Sequence, residues 1–301
     1  MEHRDPIAPQ VLKALRENGR ASYTRIAESL GITRKRVTQI VQRAVEHEEI
    51  AFTVSVSPDL LALQRFGYVQ LRLDGPAAPV RDALVAMPET TFVADISGDA
   101  PLDAEIRVRA DPHLQQTLDR IRGLPGVREM QTHLYESIEI NLYSPLRTDR
   151  AGFRLDAVDR AIVRHLQLDG RASFLDLAEA AGVSPSGARL HLRRLVQHNA
   201  VKVVGIPVRR NAPGVPTLGV GIQVRGELQA ALERVRSLEP EFLAVTIGAH
   251  ELIATFSADS VEQLLDLSDQ LRASPEITAI RTWTNLRIVK EEYGRGDRLA
   301  E

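Results

Sequence analysis

The 301-residue chain contains no cysteine. Disulfides, thiolate zinc sites and thiol catalysis are therefore excluded, in keeping with a reducing compartment. Long apolar runs are also missing: nothing approaches the ~20 residues needed to cross a bilayer, and the opening MEHRDPIAPQ lacks the apolar core of a secretory signal. A cytoplasmic protein with no membrane partner is expected. Strong net charge is absent too, the formal value being −2. That average hides a distribution: residues 1–50 hold 9 Lys/Arg against 7 Asp/Glu, residues 154–203 hold 8 against 5, and the remainder holds 21 against 28. Two mildly basic segments set in an acidic body are what results when only those segments meet phosphate. A hydrophobic content of 44% with 26% charged residues is that of a folded globular chain, and the length calls for at least two cores.

The chain repeats itself. GRASYTRIAESLG at Gly19 to Gly31 matches GRASFLDLAEAAG at Gly170 to Gly182 with an offset of 151, and seven of the thirteen positions are identical. Roughly one identity would arise from average residue usage. The same offset carries Val11, Leu12 and Leu15 onto Ile162, Val163 and Leu166, and LPGV at Leu124 to Val127 corresponds to SPEI at Ser274 to Ile277.

Each repeat opens with three helical patterns. In the second, Val158, Ile162, Val163 and Leu166 recur at helical spacing after an Asp156 cap. Ser173 caps a second helix with Leu175, Leu177, Ala178 and Ala181 facing inward, and Gly182 supplies the left-handed turn that stops it. Ser184 caps the third, Pro185 takes its first position, and Leu192, Leu195 and Val196 bury one side. In the first repeat Ser22 caps helix two, Gly31 makes the turn, Thr33 caps helix three, and Val37, Ile40, Val41, Ala44 and Val45 form the inward stripe. Two helices joined by a short glycine turn after a supporting helix make a helix-turn-helix, whose second helix enters the major groove. The outward residues of the first are Arg34, Lys35, Arg36, Thr38, Gln39, Gln42 and Arg43, donors suited to phosphates and purine edges. The second offers Ser186, Arg189, His191, Arg193 and Arg194, with Gly187 and Leu190 where the first has Arg36 and Gln39. Together with the caps Ser22, Thr33, Ser173 and Ser184, these are the candidate DNA-binding residues. A β-like run follows each unit, Ile50 to Val56 and Val201 to Val208, long enough for a wing or a link.

After each basic segment comes strand, helix, strand, strand, helix, strand. The first set is read as Phe66 to Leu73, Pro79 to Met87, Thr91 to Ser97, Leu102 to Arg109, Asp111 to Gly123 and Val127 to Leu142. The second is read as Thr217 to Val224, Glu227 to Leu238, Phe242 to Ile247, Glu251 to Phe256, Asp259 to Ala273 and Ile277 to Val289. This order is the ferredoxin-like split βαβ, an antiparallel sheet with helices on one face, and two such sheets are expected to cover each other's open face. The fold class is therefore α+β: two copies of a winged helix-turn-helix followed by a ferredoxin-like βαββαβ domain. Expected boundaries are 1–57 and 154–208 for the helix-turn-helix domains, 58–144 and 209–293 for the ferredoxin-like domains, and 145–153 for a linker.

LDAVDRAIVRHLQLDGRASFLDLAEAAGVSPSGARLHLRRLVQHNAV, Leu155 to Val201, resembles the winged helix-turn-helix of the Lrp/AsnC family. The LDxxDxxIxxxLxxDGR opening, the LAExxGxS turn and the RRL ending occur together and in order. The first repeat diverges, with Arg4 for the opening Leu and Asn18 for the Asp of DGR. The resemblance implies a transcriptional regulator that binds double-stranded DNA and senses an amino acid or related small molecule through its ferredoxin-like RAM domains. Members ordinarily carry one unit and dimerise, so the chain would be a pseudo-dimer, itself assembling into a dimer or larger homo-oligomer through exposed sheet edges. Effectors in the family bind near a Gly-acidic G-x-x-D-L loop. Gly248, His250 and Glu251 in GAHEL resemble it with Glu for Asp, and Gly98, Asp99 and Asp103 in GDAPLD resemble it with two extra residues. An ordinary hairpin turn would use the same residue types.

The rival is an enzyme. Proteins of this architecture also resemble haem-precursor (sirohaem) decarboxylases, which depend on histidines in the sensing domain; here His113, His133 and His250 are scattered, so they are expected to be exposed or locally bonded. A third reading is a degenerate effector-sensing partner that no longer binds DNA, against which the basic face of Arg34 to Arg43 argues. No cofactor and no metal are expected: His191 and His198 lie seven apart on one helix with no partner acid nearby, and Gly219-x-Gly221 lies within a strand, where it serves packing.

Overall fold

The computed structural model describes residues 5–149, 152–208, 216–258 and 260–292. In chain order the helices α1 (Ala8–Glu17), α2 (Tyr23–Ser29) and α3 (Arg34–Glu46) precede strand β1 (Ile50–Val56). Then follow β2 (Arg65–Leu73), α4 (Ala77–Ala86), β3 (Thr90–Ile96), β4 (Leu102–Val108), α5 (Asp111–Arg122) and β5 (Val127–Asn141). The same order of elements recurs as α6 (Ala157–Leu168), α7 (Phe174–Ala181), α8 (Pro185–Gln197), β6 (Val201–Pro207), β7 (Thr217–Val224), α9 (Leu228–Arg236), β8 (Phe242–Ile247), β9 (Leu252–Ser257), α10 (Val261–Arg272) and β10 (Ile277–Glu291). Arg4, residues 150 and 151 of the expected linker, and Asp259 at the expected start of a helix lie outside the described residues. The chain divides into two compact units, one holding both sets of three helices with β1 and β6, the other holding the remaining strands and helices.

In the helical unit, local signals set the ends of the elements. Asp156 and Ser173 each form a capping box, with Asp159 and Asp176 respectively, which satisfies backbone N–H groups that a helix start leaves without intrahelical partners. Gly31 and Gly182 sit at φ +64° and +65° in the turns after α2 and α7, a conformation that only glycine adopts without steric penalty. Ser22 holds the N-cap position of α2, but its side chain makes no capping bond. Val11, Leu15, Ile26, Ala27, Val37, Ile40, Val41 and Ala44 form the first three-helix core. Three expected core residues face outward instead: Leu175, Val45 and Val196 are exposed. Leu175 is two residues from buried Leu177 and so on the opposite side of α7, while Val45 and Val196 are each one step, about 100°, beyond the buried Ala44 and Leu195.

The runs after the helices do not form separate wings. β1 and β6 pair with each other, antiparallel, from Ile50 opposite Pro207 to Val56 opposite Val201. Each thereby gives the other the partner that its own sequence neighbourhood lacks, and both helix-turn-helix units become parts of one body.

The second unit departs from two stacked sheets. Its eight strands close into one barrel in the order β10-β3-β4-β2-β5-β8-β9-β7. Closure depends on the two 15-residue strands β5 and β10. The first half of β5 pairs with β2 and its second half with β8; β10 does the same with β7 and then β3. A strand twice as long as its neighbour necessarily offers a bare half, and pairing it removes the free edges expected to mediate oligomer contacts. Helices α4 and α5 cover one apolar cluster, around Val69, Leu84, Leu102 and Ile121, and α9 and α10 cover another, around Val220, Val235, Leu252 and Leu271. No helix among the described residues is long and apolar enough to cross a membrane.

Candidate nucleic-acid interface and ligand-binding residues

Helix α3 presents its polar side to solvent because its apolar residues recur at positions 37, 40, 41 and 44 and turn inward. Thr33 accepts the Arg36 N–H at 3.2 Å and fixes the start of the helix. Arg34, Lys35, Arg36, Gln39, Gln42 and Arg43 are exposed along it. Thr38 is half-buried and donates its hydroxyl to the Arg34 carbonyl, 3.0 Å away. Arg36 forms a two-pronged ion pair with Asp5, at 3.0 and 2.9 Å, and its hydrogen bonds hold the Asp5 carboxyl below the usual range. The pair is solvent-exposed, so phosphate can compete for the guanidinium.

Helix α8 is differently furnished. Ser184 accepts the Gly187 N–H at 3.1 Å, and its hydroxyl lies 3.0 Å from that of Ser186. Arg189 lies over the Phe174 ring, 4.8 Å from its centroid. His191 Nδ1 is 2.8 Å from a carboxylate oxygen of fully buried Asp159, and Arg194 bonds Asp159 and, at 3.3 Å, Asp156. Arg193 and Leu190 point to solvent, Leu190 being 65% exposed.

The two helix-turn-helix units are tied by a reciprocal exchange. Arg20 donates to the carbonyls of Gly170 and Ala172 at 2.9 and 3.0 Å, and Arg171 donates to those of Gly19 and Ala21 at 2.5 and 3.5 Å. Arg20 lies over Phe174, and Arg171 over Tyr23 and Phe52. Burial, and then repulsion from Arg171, lower the pKa of Arg20. Asn18 does the work of Asp169: each side-chain oxygen accepts the N–H two residues on, from Arg20 at 3.0 Å and from Arg171 at 2.8 Å. This is the Asx turn, which either residue makes.

In the sheet unit, the two Gly-acidic loops differ. Gly98 takes φ +105°, and the carboxylate of exposed Asp99 is held by Arg72 and, at 2.7 Å, by Arg281. In the other loop Glu251 accepts the Val224 N–H at 2.9 Å. Asp103 and His250 are buried, at 1% and 8% exposure. Asp103 accepts the Tyr68 hydroxyl at 2.6 Å, and burial pushes its carboxyl up to about 7. His250 stacks on His133 with ring centroids 5.3 Å apart and planes 8° apart, His133 lies 6.2 Å from Tyr68, and Tyr68 stacks on Trp283 at 6.0 Å. Desolvation, then the His250 and Arg281 charges, lower His133 to about 4, so both rings of the stacked pair are neutral near pH 7. Gly219 and Gly221 floor this row: a Cβ at either would sit 2.1 Å from the Trp283 indole or 2.3 Å from the His250 ring.

Family models match three stretches of the chain: an AsnC-type helix-turn-helix domain over residues 155–196, a winged helix-turn-helix DNA-binding domain over 4–47, and an Lrp/AsnC ligand binding domain over 67–138. The HTH-type transcriptional regulator LrpA of Mycobacterium tuberculosis is 35% identical over 129 residues, 41% of this chain and 85% of that protein. The chain belongs to the Lrp/AsnC family. As a transcriptional regulator of that family it joins winged helix-turn-helix and ligand-binding domains in a mixed α+β fold. The leucine-responsive regulatory protein of Rhizobium meliloti is 27% identical over 145 residues, 46% of this chain and 92% of the relative. Among solved structures, the siroheme decarboxylase NirDL aligns with a TM-score of 0.58 and 13% identity, covering 96% of this chain and 93% of that one; at that identity the likeness is one of fold.

Within this Lrp/AsnC chain two expectations about histidine are corrected. His133 and His250 are not scattered, since β5 and the loop before β9 bring them ring to ring. His113 does stand apart from them, half-exposed and 3.4 Å from Glu89. Nor is His191 far from acids: Asp156, Asp159 and His191 offer ligand atoms within 4.8 Å of one another, although the guanidinium of Arg194 already meets both carboxylates. Tyr68, Trp283 and Arg281 join the site only through the fold, and no motif marks them. The one sequence signal for them is Gly219-x-Gly221, two missing side chains on a strand opposite large rings.

Proposed function

We propose that the chain is a sequence-specific regulator that grips double-stranded DNA with both helix-turn-helix units of one polypeptide and answers to a small molecule, an amino acid or a relative of one, bound by its RAM-type domains. The observation that carries this is the exposed face of α3, where Arg34, Lys35, Gln39, Gln42 and Arg43 stand together on a capped helix. Guanidinium and amide groups at that spacing suit phosphates and purine edges. We read the repeated element order as a tandem duplication, with domains at 1–57, 58–144, 154–208 and 209–293 and a linker at 145–153, so that one cytoplasmic chain supplies the paired arrangement and identical chains assemble further. For the effector, Gly98, Asp99, Asp103, Gly248, His250 and Glu251 remain our candidates. Supporting them, Arg281 bonds Asp99 of one loop and its charge reaches the His133–His250 stack beside the other.

Selection of genomic fragments by the purified protein at physiological salt, then footprinting with and without a panel of amino acids, tests this reading. Reproducible protected sites whose occupancy shifts with one amino acid are expected; binding that ignores sequence would defeat it.

A second reading, an enzyme acting on a tetrapyrrole, is favoured by the buried neutral imidazole pair beside Tyr68 and Asp103. Incubation with sirohaem, with product masses followed over time, decides it: carbon dioxide loss that disappears in His133→Ala establishes the enzyme, and an unchanged substrate removes it.

A further inference from the structure

We infer that base recognition is confined to α3, and that α8 is a masked helix which holds phosphate without reading sequence; this rests on the DNA-binding reading above. The repeat offset of 151 aligns the two helices position by position. Where α3 has Gln39, an amide able to bond a purine edge, α8 has Leu190; where α3 has Arg36, α8 has Gly187. In the first three turns of α8, the part of a recognition helix that enters the groove, no amide side chain is present.

His191 and Arg194 of α8 are held within its own unit. Asp159 lies at the third position of α6, where the first repeat has Ala8, and is fully buried. It takes His191 at 2.8 Å and Arg194, while Asp156 takes Arg194 at 3.3 Å. Moving Arg194 or His191 to a base would leave a buried carboxylate with less compensation, a strongly unfavourable change. In α3 the corresponding positions are Ile40, part of the core, and exposed Arg43. Arg189 rests on Phe174, a ring also covered by Arg20. Arg193 remains as an exposed cation, suited to phosphate.

The physical consequence is an asymmetric site: one half read, the other half only covered. Selection from a random DNA library with the full-length protein tests it, followed by anisotropy titrations of the selected and a scrambled duplex with Gln39→Ala/Gln42→Ala and Arg189→Ala/Arg193→Ala. All four positions are exposed, and an unchanged thermal melt confirms folding. The selected motif should carry its information in one half of the site that each chain covers. The α3 double variant should weaken the selected duplex about 10- to 100-fold, the range for removing hydrogen bonds to base edges, and the scrambled duplex less than about twofold. The α8 double variant should weaken both by the same factor. Two equally informative halves within the site that one chain covers, or an α8 variant that relaxes particular base pairs, would overturn the inference and leave the regulator standing. A wild-type protein with no sequence preference would overturn the regulator reading itself, and this inference with it.

Discussion

Arg20 and Arg171 each donate to the backbone of the other's turn, Arg20 to Gly170 and Ala172, Arg171 to Gly19 and Ala21. Two cations are thereby drawn into one seam despite mutual repulsion, each compensated by carbonyls and by an aromatic face. Arg171→Ala should lower the stability of the helical unit by about 2 to 3 kcal/mol, the scale for removing charge-assisted hydrogen bonds together with a cation–π interaction. Arg171→Lys should recover little of it, because an ammonium lacks the planar fork that spans two carbonyls. Urea unfolding followed by helical circular dichroism measures both.

Glycine is required at Gly170 for a different reason than at Gly31. A Cβ on Gly170 would lie 2.7 Å from the Thr53 nitrogen and 2.8 Å from the Phe52 carbonyl carbon, both backbone atoms of β1. Gly31 has open space around it and a φ of +64°. Gly31→Ala should therefore destabilise by about 1 kcal/mol, from strain alone. Gly170→Ala should do clearly more, since a strand would have to shift. The order of the two melting temperatures checks this.

On the α3 face, Arg34→Ala with Arg36→Ala should weaken DNA binding and make its salt dependence shallower, by about 0.9 in log–log slope for each phosphate no longer neutralised. Arg36 must leave Asp5 to reach DNA, so Asp5→Asn alone should strengthen binding modestly. Anisotropy titrations at several salt concentrations read both; an unchanged slope in the double variant would remove these residues from the interface.

Two buried groups in the sheet unit give opposite pH dependences. His133 has its pKa lowered to about 4 from 6.5, so the unfolded chain binds its proton first, and stability is lost as pH falls from about 6.5 toward 4. His250 shifts in the same direction. Asp103 is raised to about 7 from 3.8, so the folded state binds the proton more tightly, and its contribution is lost as pH rises from about 4 to 7. His133→Phe should remove part of the acid-side loss while keeping a ring in the stack. Asp103→Asn should gain on wild type progressively over that same interval, by a few kcal/mol in order of magnitude at pH 7. Fluorescence of Trp283, the single tryptophan, reports this unit directly.

Much of the local structure is legible in the chain. Capping residues, glycine turns and apolar spacing act over three or four neighbours, so Ser173, Ser184, Gly182 and the inward stripe of α3 announce their elements without help from the rest of the molecule. Leu175, Val45 and Val196 face solvent against expectation because a hydrophobic residue at the margin of a stripe carries no mark of which side it takes. The outward polar face of α3 is likewise visible in sequence. The occupation of α8 is not, because its partners Asp156 and Asp159 lie some thirty residues earlier, on another helix.

Helices and strands, their repeated order and the family each depend on residues close together in the chain, and all of them can be read without coordinates. Packing in three dimensions was needed to settle that β1 takes β6 as its partner, that β5 and β10 close eight strands into one barrel, and that His133 meets His250. Those strand pairings and that ring stack join residues separated by a hundred positions or more. No periodicity records such a meeting; it follows from unpaired edges finding the partners that satisfy their backbone hydrogen bonds.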